Sequence, residues 1–229
     1  MLAFVLAAAL ATATPDGTRV PTGTWCYDLS ATKAGQAQVV GHVFQSIERT
    51  THAGKSALKV VVHQRMGAKF DMRDEFLLDA ATLRPFEMTN TRFGKPHVRD
   101  VYDARAVEET KWDDAGKSTT TRKPLAQPVW EGNLYGVMFA ALPLQAGDEY
   151  RVPFYQYDQG EGAFTVTVTG ARDVDTALGQ RKAIVVQAGA SPDKRAEYLI
   201  GAGPRIELGY AAGPFSQALS ASCAAFEGR

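Results

Sequence analysis

Four charged residues at alternate positions form the pattern in this chain that most resembles a catalytic site: Lys69, Asp71, Arg73 and Glu75. Alternate residues of a β-strand point to the same face of the sheet, so these four side chains would share one surface. Two carboxylates on one face can share a proton and act as acid and base. Alternating signs of charge are also typical of a solvated ladder in which neighbours neutralise one another, and we favour this second interpretation.

The other residue types that carry chemistry show no catalytic or metal-binding spacing. The histidines lack H-x-H or H-x-x-x-H spacing and have no neighbouring cysteine: His42, His52, His63 and His97. Ser216 does not lie in a G-x-S-x-G elbow, and Gly201-Ala202-Gly203 lacks the third glycine of a dinucleotide loop. Lys plus Arg and Asp plus Glu both number 25, so the formal net charge is zero. A neutral chain has no long-range electrostatic attraction for nucleic acid. The sequence predicts no catalytic residue, metal ion, cofactor or nucleic-acid partner.

Aromatic residues give a more specific indication, in a strand predicted over residues 149–157. Tyr155 and Tyr157 fall on one face beside Arg151, and Phe154 falls on the other. Tyrosine offers a ring to a ligand and a hydroxyl to water, so these two residues suit the mouth of a cavity. An ordinary sheet surface with one buried side is the alternative.

Strands must position these charged and aromatic residues, because alternation of apolar and polar residues, broken by turn residues, dominates the chain. The sharpest alternation runs over residues 68–78, where Phe70, Met72 and Phe76 share the face opposite the charges. Asp113-Asp114-Ala115-Gly116-Lys117 is the strongest hairpin signal. The sequence predicts a mainly β protein, built as a curled antiparallel sheet that forms an incomplete barrel, with one helical insertion.

The helical insertion is predicted over residues 133–142. Its apolar positions repeat at helical spacing: Leu134, Val137, Met138 and Ala141. Asn133 is the predicted N-cap, and Pro143 with Gly147 ends the helix. We expect this helix to cross the concave face of the sheet.

The first thirteen residues have the composition of an export signal. An apolar stretch over residues 2–10 is followed by small residues, which predicts a signal peptide over 1–13 and a single β-rich half-barrel domain over 14–229. The stretch is too short to span a bilayer, so the protein is expected not to be membrane-spanning. A buried N-terminal strand or helix is the alternative.

The two cysteines, Cys26 and Cys223, lie near opposite ends of the chain. An even count in an exported protein favours a disulfide, and two buried free thiols are the alternative. The expected location is therefore the periplasm or the outside of the cell.

Two motifs in the centre of the chain carry a family resemblance. Leu142-Pro143-Leu144 followed by Gly147 forms a junction after the predicted helix, and five residues mark the hairpin after it: Val174, Thr176, Gly179, Ala183 and Val186. Both motifs resemble those of a bacterial family of unknown function, DUF3108. The chain departs from the family pattern at Ala196-Glu197-Tyr198-Leu199-Ile200, where the family has a tryptophan-containing strand.

The resemblance implies a protein that Gram-negative bacteria export. It also implies a curled sheet similar to that of periplasmic lipoprotein carriers of the LolA/LolB type, and a binder or scaffold without enzymatic activity.

Residues and resemblance together predict an exported, non-enzymatic protein that binds an apolar small molecule, a lipid or an envelope protein in its concave sheet. Each buried CH₂ of a ligand would contribute about 0.8 kcal/mol. The predicted ligand-binding residues are Phe70, Met72, Phe76, Leu134, Tyr135, Met138, Tyr155 and Tyr157. Two alternatives remain: an enzyme whose polar groups (Asp71, Arg73, Glu75 and Tyr155) converge in the cleft, and an envelope-assembly scaffold whose cavity is filled by its own side chains.

Overall fold

A computed structural model describes residues 14–226 of the 229-residue chain. In this part of the chain fifteen strands form one sheet that is not closed into a barrel, accompanied by one short α-helix. The mainly β fold class predicted from the sequence is therefore confirmed. The predicted signal peptide, residues 1–13, lies outside the described residues.

The strands and the helix follow one another along the chain with short connections. The first eight strands are β1 Gly23–Lys33, β2 Gln36–His52, β3 Lys55–Met66, β4 Phe70–Asp79, β5 Pro85–Arg92, β6 Lys95–Tyr102, β7 Ala106–Trp112 and β8 Ser118–Pro124. The short strand β9 Trp130–Glu131 precedes the helix α1 Tyr135–Ala140. The remaining strands are β10 Glu149–Gln156, β11 Gly160–Thr176, β12 Gly179–Gly189, β13 Ala196–Gly201, β14 Glu207–Ala212 and β15 Phe215–Leu219.

The order of strands across the sheet is that of two meanders joined where the chain's first and last strands meet. The order runs from β8 down to β1, continues with β15, and descends to β9. Neighbouring strands are antiparallel except β9 and β10, which are parallel. The first and last strands therefore meet in the middle of the sheet, and β8 and β9 are its two edges.

Tight two-residue turns set the register of the first meander. Ala53 and Gly54, between β2 and β3, have φ of 48° and 78°, and Phe93 and Gly94, between β5 and β6, have φ of 50° and 73°. Positive φ at both turn residues is the requirement of a type I′ hairpin, whose twist matches that of the flanking strands. Glycine supplies the second position without steric cost.

The sheet is curled so strongly that hydrogen bonds between tyrosines and carboxylates join its two ends. The Tyr155 hydroxyl of β10 donates to Glu109 Oε2 of β7 at 2.8 Å. The Tyr102 hydroxyl of β6 donates to Glu131 Oε2 of β9 at 3.1 Å. We call this region, defined by Tyr102, Glu109, Glu131 and Tyr155, the seam. It brings β6 and β7 against β9 and β10, which lie far apart in the strand order.

The helix α1 fills the space enclosed by the curled sheet. Gly136, Val137, Met138, Phe139 and Ala140 are all buried. They join one hydrophobic core with residues from both meanders, including Phe76, Met88, Val152 and Ile200. Because a large apolar side chain contributes about 1.5–3 kcal/mol when buried, this core is the main source of stability.

Two predicted details of the helix are wrong. The helix covers Tyr135–Ala140 rather than residues 133–142, and its N-cap is Leu134, which makes no side-chain capping bond. Asn133 does not cap the helix: its side-chain oxygen accepts from Gln156 Nε2 at 3.1 Å, and its amide nitrogen donates to Glu131 Oε1 at 2.8 Å. Burial around the whole circumference of the helix, rather than propensity or capping, stabilises so short an element.

Cys26 and Cys223 form a disulfide, with Cα atoms 5.3 Å apart, within the usual range for such a bridge. The bond holds the C-terminal segment on the outer face of the sheet. There the ring of Phe226 lies 5.8 Å from that of Phe44 and 5.1 Å from that of His63, measured between centroids.

Replacing both cysteines with alanine should lower the free energy of unfolding by about 2–5 kcal/mol, because the bridge closes a very long loop and restricts the unfolded chain. Urea unfolding of Cys26→Ala/Cys223→Ala beside the oxidised protein measures this loss. Reduction of the unmodified protein should reproduce it. Equal midpoints for the double variant and the oxidised protein would contradict the expectation.

Candidate functional site

An open cavity of about 280 Å³ lies between the first turn of α1 and the concave face of the sheet. Its apolar wall consists of Val43, Val62 and Leu134. The remaining wall is polar and aromatic: Gln45, Gln64, Asn133, Tyr135, Gly136, Tyr198, Glu207, Tyr210 and Gln217. We call this space the concave cavity. Strands β2, β3, β13, β14 and β15 supply its walls because their alternate residues point inward toward the helix.

Glu207 is the one ionisable carboxyl among the described residues that line the concave cavity. Its Oε1 accepts a hydrogen bond from Gln217 Nε2 at 2.7 Å. Its Oε2 faces Gly136, where a Cβ atom would lie 1.7 Å away, so glycine is required at this point of the helix. Burial raises the pKa of Glu207 to about 7. The carboxyl is therefore largely protonated below neutral pH and can then donate a hydrogen bond.

Three tyrosines form the aromatic side of the cavity. The Tyr198 ring lies 6.4 Å from that of Tyr135 and 5.7 Å from that of Tyr210. Burial raises the pKa of Tyr135 to about 12, so its hydroxyl remains protonated. These residues offer ring faces and neutral hydroxyls.

A second space of about 180 Å³ opens on the other side of Tyr135 and Tyr198, which line both cavities. Phe139, Phe154 and Phe164 give it an aromatic wall. The Gln156 amide donates to the Tyr135 hydroxyl at 2.7 Å and fixes the position of that ring. The two spaces together follow α1 along one side.

The predicted ligand-binding residues fall into three environments. Leu134 and Tyr135 line the concave cavity. Phe76 and Met138 are fully buried in the core, while Phe70 and Met72 are half-buried on β4. Tyr155 and Tyr157 are also buried, Tyr155 at the seam. The structure thus places two of the eight at the cavity, and binding by any of them stays a prediction.

The charged ladder on β4 lies on the outer face of the sheet, and both carboxylates have cationic partners. Asp71 Oδ1 lies 2.7 Å from His63 Nε2, and Asp71 Oδ2 lies 3.2 Å from Arg65 Nε. Glu75 pairs with Lys59 at 3.1 Å and also with Arg73. Partial burial alone would raise the pKa of Asp71, but the hydrogen bond and charge of His63, with Arg65, lower it overall. The structure does not bring these residues together with Tyr155.

Sequence reasoning missed a group of buried carboxylates near the seam: Asp74, Asp100, Glu109 and Glu131. Asp74 was detectable, because it interrupts the apolar face of Phe70, Met72 and Phe76 on β4. Burial raises its pKa to about 6, against the hydrogen bond that it accepts from Asn90.

Asp100 is the least compensated of these groups. It is fully buried on β6, and within residues 14–226 neither carboxylate oxygen has a hydrogen-bond partner. Burial raises its pKa to about 7, and the neighbouring charge of Glu109 adds to this shift. Glu131 behaves similarly, since burial raises its pKa to about 8, with a further contribution from Asp100.

Glu109 differs because it has two lysine partners. Lys123 Nζ and Lys111 Nζ lie 2.7 and 3.1 Å from Glu109 Oε1. Burial would raise the pKa of Glu109, but the hydrogen bonds from Lys123, Tyr155 and Lys111 lower it overall. It remains ionised at neutral pH, and its charge explains part of the shift at Asp100.

The described residues, 14–226, contain no group of three or more His, Cys, Asp or Glu side chains arranged to hold a metal ion. A search of the same residues finds no helix long and apolar enough to cross a membrane.

Comparison with known proteins identifies the family. The family model described as "Protein of unknown function (DUF3108)" matches residues 26–208, most of the chain. The chain belongs to this family, which confirms the resemblance carried by Leu142-Pro143-Leu144 and the hairpin after it. No curated protein and no solved structure matches the chain. Similarity to carriers of the LolA/LolB type stays a prediction.

The buried carboxyls make stability depend on pH. Asp100, Glu131 and Glu207 bind protons in the folded state at pH values where the unfolded chain has lost them. The contribution of each group is therefore fully present below the unfolded-state pKa of about 4 and is lost progressively as pH rises from there to the folded pKa, near 7 to 8. We expect the free energy of unfolding to fall by about 1–3 kcal/mol between pH 6.5 and 8.5.

Asp100→Asn should remove part of this dependence. The variant should be more stable than the unmodified protein by about 1–3 kcal/mol at pH 8.5 and nearly equal to it at about pH 3.5, where the carboxyl is largely protonated in the folded and unfolded chains alike. Asp173→Asn, at an exposed position of β11, is the matched control. Chemical unfolding at several pH values measures both. A stability difference that does not change with pH would contradict the shift assigned to Asp100.

Proposed function

We propose that this protein binds a small amphipathic ligand, predominantly apolar, in the concave cavity. The observation that carries the proposal is an open space of about 280 Å³ between α1 and the sheet, continued by about 180 Å³ beyond Tyr135 and Tyr198. Small-molecule sites in proteins are concave and combine apolar walls with a few oriented polar groups. The two spaces are concave and combine aliphatic and aromatic side chains with amide and hydroxyl groups.

The apolar part of the ligand would contact Val43, Val62 and the aromatic rings. An alkyl chain gains about 0.8 kcal/mol for each CH₂ that leaves water, so a chain of several carbons suffices for measurable affinity. The rings of Phe154 and Phe164, 4.1 Å apart between centroids, form a flat wall of the second space.

The polar part of the ligand would be uncharged and would carry a hydroxyl or an amide. Among the described residues that line the concave cavity there is no Lys, Arg or His, and Lys194 lines only the second space. The side chains of Gln45 and Gln64 make no hydrogen bond within residues 14–226, which leaves their amides free to bind a polar group of a ligand. A carboxylate there would lack a counter-charge and would lie near Glu207.

The disulfide supports a location in an oxidising compartment, because such bonds are rare in reducing cytoplasm. We propose that the protein acts in the periplasm or outside the cell, where a carrier could hold an apolar molecule away from water. The open cavity supports a binder more than a scaffold filled by its own side chains.

Gln64→Trp tests the site, because Gln64 is half-buried on the cavity wall and makes no side-chain hydrogen bond among the described residues. An indole there fills the concave cavity. We expect the affinity for a neutral apolar dye, N-phenyl-1-naphthylamine, to fall at least tenfold by fluorescence titration, with an unchanged melting temperature.

The matched control is Gln38→Trp, the same exchange at an exposed position of β2. It should bind the dye as the unmodified protein does. The proposal fails if the unmodified protein binds no dye and native mass spectrometry with lipid extraction finds no copurified ligand. It also fails if Gln64→Trp and Gln38→Trp bind the dye equally well.

A further inference from the structure

A separate pocket of about 380 Å³ lies where the loops between β6 and β7 and between β8 and β9 meet the beginnings of β3 and β5. Two cationic side chains, Lys55 and Arg84, line it. Apolar walls come from Phe86, Leu125 and Val129. None of its lining residues borders the concave cavity. We call it the Arg84 pocket.

Arg84 is held rigidly by an aromatic ring. Its guanidinium carbon lies 3.4 Å from the centroid of the Trp130 ring, a stacked cation–π arrangement. Trp130 is itself fixed, because it is fully buried and its indole N–H donates to the Thr82 carbonyl at 2.9 Å. The guanidinium plane is therefore positioned before any ligand arrives.

Arg84 has no anionic partner in the described part of the chain. Its Nη1 is buried and has no hydrogen-bond partner there, and the guanidinium takes part in no salt bridge among residues 14–226. Burial of a charged donor without a partner is unfavourable and is usually compensated. Burial without a counter-charge also lowers the pKa of Arg84 to about 10, which still leaves it charged at neutral pH.

The nearby carboxylates are already engaged. Asp103 lines the pocket, but its Oδ2 accepts from Arg122 at 2.6 Å and its Oδ1 accepts from the amides of Arg105 and Ala106 at 2.7 and 2.8 Å. Asp79 Oδ1 accepts from the backbone amides at positions 81 and 82 and from the Thr82 hydroxyl. Asp79 keeps its charge and interacts with Lys55, which helps to lower the pKa of Asp79. The pocket lining itself has two cations, Lys55 and Arg84, and one carboxylate, Asp103, which is paired with Arg122, so positive charge is in excess beside the apolar wall.

We propose that the Arg84 pocket binds a small organic carboxylate with an apolar body, separately from the ligand of the concave cavity. The carboxylate, an anion that arginine binds well, pairs with the part of the Arg84 guanidinium that lines the pocket. Lys55 adds a second positive charge, and the apolar body packs against Phe86, Leu125 and Val129. Small-molecule pockets, typically about 300–1,000 Å³ in volume, commonly combine apolar walls with a few polar groups in this way.

Calorimetric titration with octanoate, 1-octanol and inorganic phosphate tests this site. The titrations use the Gln64→Trp variant, in which the concave cavity is filled and cannot contribute. Octanoate should bind with a stoichiometry of one, and octanol and phosphate should each bind at least tenfold more weakly, since each lacks either the charge or the apolar body. Equal affinity of octanoate and octanol, or of octanoate and phosphate, would overturn the proposal.

Arg84→Met keeps an unbranched apolar stem and removes the guanidinium with its charge, and it should weaken octanoate binding at least tenfold. Arg49→Met, at an exposed position of β2, is the control and should leave the affinity unchanged. Leu125→Trp, which fills the pocket from a loop, should abolish binding without touching the Arg84 stack. The proposal is refuted if either pocket variant binds octanoate with unchanged affinity, or if the protein shows no saturable octanoate binding. Neither result bears on the concave cavity, which is tested by the dye titration.

Discussion

The concave face of a curled sheet must be covered, and in this protein the burial of α1 against that face is the interaction on which the rest depends. The helix has six residues and no side-chain cap, so it is stable only because the sheet surrounds it. Val137, Met138 and Phe139 of the helix join strands of both meanders in one hydrophobic core. The helix packs closely against Glu207 at Gly136, and the concave cavity lies beside this contact.

Buried polar groups reduce the stability that this core provides. Asp100 and Glu131 at the seam, and Glu207 at the cavity, are carboxyls whose pKa values rise because burial disfavours their charge. At the seam, Asp100 and Glu131 lie beside the tyrosine hydrogen bonds that join the two ends of the sheet. At the cavity and at Arg84 the polar groups keep unused hydrogen-bonding capacity, and groups of this kind are the ones that a ligand can satisfy.

Local patterns in the sequence were sufficient for most strands and turns, because alternation and turn residues are properties of neighbouring positions. The disulfide was predicted differently, from the even number of cysteines in a chain expected to be exported. The pairing of Tyr155 with Glu109 was not accessible, since these residues are 46 positions apart and meet only when the sheet curls. The short parallel strand β9 depends on the same curl. Asn133 is a residue type that often caps helices, but its side-chain oxygen accepts from Gln156, which is 23 positions away in the sequence. The sequence did not indicate Arg84 as a binding residue, because the absence of an anionic partner depends on which residues surround it in the folded protein.

The central claim is that a neutral amphipathic ligand lies between α1 and the concave face. Intermolecular NOEs between ¹³C-methyl-labelled protein and bound 1-decanol test it most directly. The account predicts NOEs from the alkyl chain to the methyl groups of Val43, Val62 and Leu134. NOEs confined to exposed methyl groups such as those of Val39 and Val40, or no NOEs under saturating decanol, would contradict it.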